Sequence, residues 1–488
     1  MKKYYILYLV LCLLYGSVGY LAPGYDDEFF NINLIEELGL STVAYTQSTD
    51  VHPPGSYLIN YFLYQALGTW PLVRLVTALF TAAALIYAIQ AIRKENGERA
   101  GLVAFFLLGL NPAILLWCTG IRWYAYFVPV LIWLSMPAPY KDWRHWAKCF
   151  GGLLILAYLG YAVIIVAAPI LFIYWRRSPQ ASTEKLVSIV KYGALTLALY
   201  AHQAHVFLTI HVKHKGDQIS SVLKSLTGIA TAQLGNQGVF PASPAGLMSM
   251  IGTLGVVITI VHLNRRATLQ NSHFIAYTMG IIGTVITGLA GKFRNLVLVS
   301  PWQAMWIASA IAKHPNGKIL PVFMGFLIVG NLVGIYNVAT HQNTTKNSWN
   351  MPIEQAMTYL REEGRKCSAP LLVVTHDVGL AWHANHEKYR VLSPFSSKPL
   401  PPEALASKYE CVFLMKTYAG SIDGSTYDKM MQQIPLIHHD TTTTTKLGRD
   451  SYYTIKNRMD SRYPEYMVEI TQYKNASNLA ALTSWQSK

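Results

Sequence analysis

Charge is scarce in this sequence of 488 residues: Asp, Glu, Lys and Arg together make up 13% of it, about half the share found in soluble domains. A single water-soluble domain is therefore excluded as the starting assumption. Cysteine is scarce as well. Five residues across this length are too few for a disulfide framework, and none has metal-ligand spacing. Acids are the rarer of the charged residues, 25 against 40 Lys and Arg, which leaves a formal charge of +15. In a soluble protein such a surplus would point to nucleic acid. Its distribution excludes that partner, because residues 1–344 hold 23 basic and 11 acidic side chains while 345–488 hold 17 and 14. The surplus sits in the apolar part, where a membrane protein places its inner-face anchors.

What is abundant is hydrophobicity, at 52% of residues. The N-terminus, MKKYYILYLVLCLLYGSVGYLAPGY, opens on a basic pair and an apolar run, as a signal peptide does. It lacks a small-x-small cleavage site at the usual place and many apolar segments follow, so it reads as an uncleaved first membrane helix. Stretches of spanning length recur at about 71–92, 100–118, 122–138, 186–205, 243–263, 272–290, 295–312 and 319–340. The run 149–175 begins and ends beside basic clusters, Lys148 and Arg176–Arg177, and so is expected to cross twice with a break near Gly160. About eleven transmembrane helices result.

The positive-inside rule orients them. With the N-terminus in the cytoplasm, the inner side receives sixteen basic residues against four acids, and the outer side of the same region seven against seven. An odd number of spans places the C-terminal part outside, in the periplasm of a bacterial inner membrane. The expected fold is thus a polytopic α-helical membrane domain over 1–344, with a first outer loop at 23–70 carrying interfacial helices, followed by a small soluble α/β domain over 345–488. In the latter, a helix-like stretch at 353–363 precedes apolar runs at 370–375 and 411–415. A helical pattern near 425–433 and strand-like stretches at 451–456 and 466–473 follow, and the five threonines 441–445 read as a loop or an edge strand. Cys367 and Cys411 lie at the starts of two predicted strands, where an exofacial disulfide is an option.

The first outer loop, GYDDEFFNINLIEELG (24–39), places Asp26, Asp27 and Glu28 just after the first helix. Acids there cap a helix N-terminus, and a carboxylate beside the bilayer also suits general-base work on a hydroxyl. Then TDVHPPGSYLINYFLYQALG (49–68) turns sharply at Pro53–Pro54 and continues as an amphipathic segment with Tyr57 and Tyr61 near the interface, before Arg74 opens the second span. Two later segments stand out: NPAILLWCTGIRWYAYFVPVLIWLS (111–135), with Arg122 and Tyr124 at an outer turn, and KFRNLVLVSPWQAMWIASAI (292–311), with Lys292, Arg294 and Pro301. In this order the motifs resemble the GT-C superfamily of membrane glycosyltransferases that use polyprenyl-phosphate sugars, in particular the protein-mannosyltransferase and aminoarabinose-transferase branch. The resemblance covers roughly residues 1–340. It departs from the family pattern where Phe293 precedes Arg294, since the family more often has a Tyr after the Arg.

The resemblance implies a sugar donor linked by phosphate to a long isoprenoid, a glycan, lipid or protein acceptor, and inverting single-displacement transfer with no cofactor or metal. Asp27 matches the first residue of the family's Asp-Glu pair and is the implied base, with Glu28 beside it and Asp26 as a substitute. Arg294, Lys292 and Arg122 are the implied partners of the departing phosphate; as arginines and lysines at the ends of apolar helices they also read as interfacial anchors. Arg74 is assigned to orienting an acid in the first loop, and Tyr124 to positioning at the outer turn. His52 either donates to an acceptor or carboxylate or holds the turn before Pro53. The histidines of YAHQAHVFLTIHVKHKGD (200–217) are spaced for a metal but lack acidic or thiolate company except Asp217, and His376, Asp377, His383 and His386 invite the same reading. A transporter of lipid-linked sugars would show internal repeats and midplane acids, which this sequence does not. A noncatalytic envelope protein would leave the acids without a task.

Overall fold

The structure is a computed structural model that describes residues 2–21, 24, 26–49, 52–136, 143–211, 243–263, 265–287, 293–313, 320–340, 353–367, 371–375, 377–392, 411–417, 441–449 and 466–474. The helices in chain order are α1 (Lys2–Leu21), α2 (Asp26–Leu38), α3 (Thr42–Thr49), α4 (Gly55–Leu67), α5 (Trp70–Asn96), α6 (Glu98–Ala104), α7 (Pro112–Cys118), α8 (Tyr124–Ser135), α9 (Arg144–Leu159), α10 (Val163–Arg177) and α11 (Ser182–His211). They continue as α12 (Pro244–Leu263), α13 (Arg265–Gln270), α14 (Ser272–Ile286), α15 (Ser300–Lys313), α16 (Leu320–Ala339), α17 (Ile353–Gly364) and α18 (Val378–His386). The strands are β1 (Leu371–Thr375), β2 (Arg390–Leu392), β3 (Cys411–Thr417), β4 (Thr441–Arg449) and β5 (Tyr466–Lys474). The chain forms two compact units: Met1–Ala22 with Leu38–Thr340, and Pro23–Glu37 with His341–Lys488.

In the first unit, four described helices are long and apolar enough to cross a membrane, spanning Tyr4–Leu21, Trp70–Asn96, Pro244–Leu263 and Leu320–Ala339. A fifth is counted if the bent pair Glu98–Gly109 and Pro112–Cys118, at 51°, is one span. The expected count of eleven also includes apolar runs that form shorter or interrupted helices among the described residues. The run 100–118 is interrupted: a π-turn at Phe105–Gly109 gives way to Asn111, whose side chain accepts from the amides of Ala113 and Ile114 and restarts the chain as α7 with Pro112 at its first position. The run 149–175 does break at Gly160, but into helices of 16 and 15 residues. At 1.5 Å per residue each is about 24 Å long, a short pair of helices against a hydrocarbon core of roughly 30 Å, as the flanking basic clusters lead one to expect. The long α11 turns Leu186, Val187, Val190, Leu195, Leu197 and Leu199 outward, as a helix facing lipid does.

The second unit holds a five-stranded sheet of order β2-β1-β3-β5-β4. β1 runs parallel to β2 and β3, and β5 antiparallel to β3 and β4, with Leu372 opposite Val412 and Leu414 opposite Thr471. β1 is buried along its whole length, which explains its unbroken apolar run LLVVT. The threonine run is the edge strand β4, where β-branched side chains suit a half-solvated pleat. The predicted stretches 425–433 and 451–456 lie outside the described residues. Cys367 and Cys411 are bridged, with Cα atoms 6.1 Å apart.

The acid-bearing helix α2, read from sequence as part of the first outer loop, packs within this second unit. Phe29, Ile32 and Ile35 bury one of its faces. The Phe29 ring centroid lies 5.4 Å from that of Trp382 and 5.3 Å from that of His383. Glu36 Oε2 accepts the Trp382 indole N–H at 2.9 Å and pairs with His386 Nε2 at 3.5 Å.

His386 also presents Nδ1 to the Trp382 carbonyl oxygen at 3.0 Å, so both ring nitrogens face oxygen and only the doubly protonated ring donates to both. The hydrogen bond to Glu36 raises its pKa above 6.5, with burial opposing. A raised histidine pKa contributes stability fully present below pH 6.5 and lost as pH rises through the folded value. The melting temperature of the second unit is expected to fall slightly between pH 6 and pH 8.5, by an amount matching under about 1 kcal/mol for so exposed a pair. His386→Asn should flatten that slope in a thermal-unfolding series, and an unchanged slope would assign the pH dependence elsewhere.

Candidate active site

The sequence motifs of the first unit converge on the turn 119–123, between α7 and α8. Thr81 of α5 holds its base, donating to the carbonyl of Cys118 at 3.1 Å. Asn60 of α4 holds its middle: its amide donates to the Ile121 carbonyl at 3.1 Å, and its oxygen accepts the Tyr126 hydroxyl at 2.5 Å. All three groups are buried. A carboxamide that donates and accepts at once is what it takes to tie a loop carbonyl to a phenol on the next helix. Asn60 was not singled out from sequence. Its signal was an amide inside the apolar run YLINYFLY, and its partners lie 61 and 66 residues away.

Arg122 follows directly and is buried, 5% exposed. Its Nη2 lies 3.2 Å from His52 Nε2. A guanidinium only donates, so this contact requires His52 to accept on Nε2 and hold its proton on Nδ1. His52 thus joins Arg122 as well as preceding the Pro53–Pro54 turn. Trp123 stacks on Tyr124 with centroids 3.8 Å apart and lies 6.2 Å from the His52 ring. Tyr124, also buried, donates its hydroxyl to Asn295 Oδ1 at 2.8 Å.

Asn295 belongs to the 3-10 helix Phe293–Leu298, so Tyr124 brings the Arg-x-Tyr turn against the segment that carries Arg294 in its backbone. The side chain of Arg294 and the whole of Lys292 lie outside the described residues. Arg74 is buried in α5. Tyr57, expected at the interface, is instead buried within the unit at 1% exposure, because it lies three residues from Asn60 on the inner face of α4.

Two glycines permit this packing. A Cβ on Gly55 would lie 2.4 Å from the Tyr158 carbonyl oxygen, and one on Gly160 would lie 2.8 Å from Trp123 Cε3. Gly160→Ala should therefore displace the Trp123 ring and cost roughly 1–3 kcal/mol of stability, as overpacking does. Gly151→Ala, where nothing lies within 4 Å, serves as the matched control and should be neutral or slightly stabilising. Thermal unfolding of the detergent-solubilised protein compares the two, and equal melting temperatures would remove Gly160 from the account of the turn.

Asp26, Asp27 and Glu28 form the first turn of α2 and are described with the second unit. Glu28 is fully buried, and the side chains of Asp26 and Asp27 lie outside the described residues. Among the described residues no three His, Cys, Asp or Glu side chains are grouped as a metal ion requires. Of the histidine-rich segment, His214 and Asp217 lie outside the described residues, as does His376.

No family model matches the sequence, and no curated protein sequence matches it. Among solved structures, the chain is similar to ArnT from Cupriavidus metallidurans in the apo state, at 12% identity and a TM-score of 0.53, covering 99% of both chains. It is similar to the same protein bound to undecaprenyl phosphate at 11% identity and a TM-score of 0.53, covering 97% of this chain and 98% of that one. The chain thus has the fold of ArnT over nearly its whole length.

Proposed function

We propose that the protein is an inverting glycosyltransferase that moves a sugar from a polyprenyl-phosphate donor to a hydroxyl of an envelope glycan, lipid or protein. It works at the outer face of a bacterial inner membrane, with eleven crossings, a cytoplasmic N-terminus and the second unit in the periplasm. The observation that carries the reading is the Tyr124–Asn295 hydrogen bond. It joins two motif segments 171 residues apart, one carrying Arg122 and the other Arg294. The choice of lipid is supported by the similar fold of ArnT, which has been solved with undecaprenyl phosphate, and the compartment by the Cys367–Cys411 bridge.

In this reading Asp27, with Glu28 beside it and Asp26 as substitute, takes the proton from the acceptor hydroxyl as its oxygen attacks the sugar carbon. The bond from that carbon to the phosphate oxygen breaks, and its electron pair leaves with the lipid phosphate. Arg122, Arg294 and Lys292 meet the charge that grows there. His52 fixes Arg122, Tyr124 fixes the 3-10 segment, and Arg74 orients the first loop. The reaction requires no cofactor or metal.

The test is transfer by the purified protein in nanodiscs with a panel of polyprenyl-phosphate sugars and candidate acceptors. Arg294→Ala should raise the donor KM about tenfold, the cost of one charge-assisted contact, and leave the acceptor KM unchanged. Equal effects on both would mark Arg294 as structural, and no transfer with any donor would retire the reading.

A further inference from the structure

The C-terminal part of the second unit, His341–Lys488, has no task in the chemistry above, yet it shares that unit with the helix that carries the proposed base. β1 ends at Thr375, whose hydroxyl oxygen accepts the amide of Asp377 at 3.1 Å. Asp377, buried, caps α18 by accepting the amide of Leu380 at 2.9 Å. The first turn of α18 then comes so close to α2 that a Cβ on Gly379 would lie 2.9 Å from the Phe29 ring. One turn further on, Trp382 donates to Glu36. Helix α2 is thus held at both ends, at Phe29 two residues after Asp27 and at Glu36 nine residues after it. A ring contact alone lets a helix slide or turn; a second, directional contact about 10 Å along its axis does not.

We infer that the C-terminal unit is the positioning element of the catalytic carboxylates, with Glu36 and Trp382 fixing the rotation and height of α2 and therefore the place of its first turn. The inference rests on the assignment of Asp27 as the base. A general base works only within hydrogen-bond reach of its proton, and a misplacement of about 1 Å costs on the order of 100-fold in rate. The link therefore acts on kcat and leaves the donor lipid's affinity alone. Glu36 and Trp382 touch neither substrate in this scheme.

The test is a double-mutant cycle on the full-length protein in nanodiscs. Glu36→Ala and Trp382→Phe are each expected to lower kcat about tenfold or more with the donor KM within twofold. Glu36→Gln, whose amide oxygen still accepts the indole N–H, should recover to within about threefold of wild type. In an Asp27→Asn background, Glu36→Ala should have no further effect, because there is no base left to place. Wild-type kcat in both single variants overturns the proposal. So does a Glu36→Gln variant as slow as Glu36→Ala, or a double variant in which the two losses multiply; each of these leaves the base assignment standing. Full activity of Asp27→Asn sinks the base assignment itself.

Discussion

Asp27→Asn is expected to lower kcat about 1,000-fold, in the middle of the range for loss of a general base, with the donor KM nearly unchanged. By the usual conversion that is a barrier increase of roughly 4 kcal/mol. The asparagine keeps the size of the side chain and one acceptor oxygen but cannot take the proton of an acceptor hydroxyl at neutral pH. Binding of the donor lipid, a matter of phosphate charge and apolar surface, does not use that capacity. The single substitution is the clean probe, since Glu28 is fully buried and Glu28→Gln also changes packing. Asp27→Asn combined with Glu28→Gln should fall further only within about tenfold. Normal transfer by the double variant, at wild-type yield and elution profile, would remove the carboxylates from the chemistry. Loss in Asp26→Asn without loss in Asp27→Asn would move the base by one residue.

The second large effect belongs to Arg122→Ala, expected to lower kcat/KM for the donor about 100-fold. The donor phosphate is a diester with one negative charge, and the departing lipid phosphate approaches two. A fixed guanidinium therefore binds the transition state more strongly than the ground state, and kcat should carry most of the loss. Arg122→Lys should recover only part, because a point charge replaces a planar fork already oriented by His52. His52→Ala should sit between the two. Steady-state kinetics with donor and acceptor varied separately decide the matter. A variant whose acceptor and donor parameters fall together would show that Arg122 serves the turn and not the phosphate.

The sequence made the conspicuous polar residues of the turn more legible than the residues that hold it. Arg122 and Tyr124 stood out because charge and phenol are conspicuous among the apolar residues of 111–135. Asn60 and Asn295 did not stand out, since an amide in an apolar run shows its purpose only once its partners across the fold are known. Hydropathy and the flanking basic clusters located the break at Gly160, but not the one in the run 100–118, which is set by local backbone features, the π-turn and the cap at Asn111. Of the strands of the second unit, β1, β3 and β5 were legible from apolar and β-branched runs, β4 was left between loop and edge strand, and the three-residue β2 gave no signal. The position of α2 was not, because Glu36 finds Trp382 across 346 residues. No local pattern encodes such a contact. Only the apolar face formed by Phe29, Ile32 and Ile35 signals that α2 has a packed partner at all.

The Cys367–Cys411 bridge also bears on when the protein comes to be assembled. It closes a loop across 44 positions, for which loop-closure entropy alone predicts about 4 kcal/mol of stabilisation. That amount is a large part of the roughly 5–15 kcal/mol by which a folded domain is stable. In the proposed topology these cysteines emerge only after the last membrane helix has been made, so the bridge forms late, after translocation, by an oxidant on the far side of the membrane. Until then β1 and β3 lack their covalent tie, and α2, synthesised hundreds of residues earlier, has no finished surface to dock on. Maturation would then be a dithiol oxidation at the end of synthesis. Cells unable to make disulfides should accumulate a full-length, membrane-inserted protein that binds lipid phosphate and transfers no sugar.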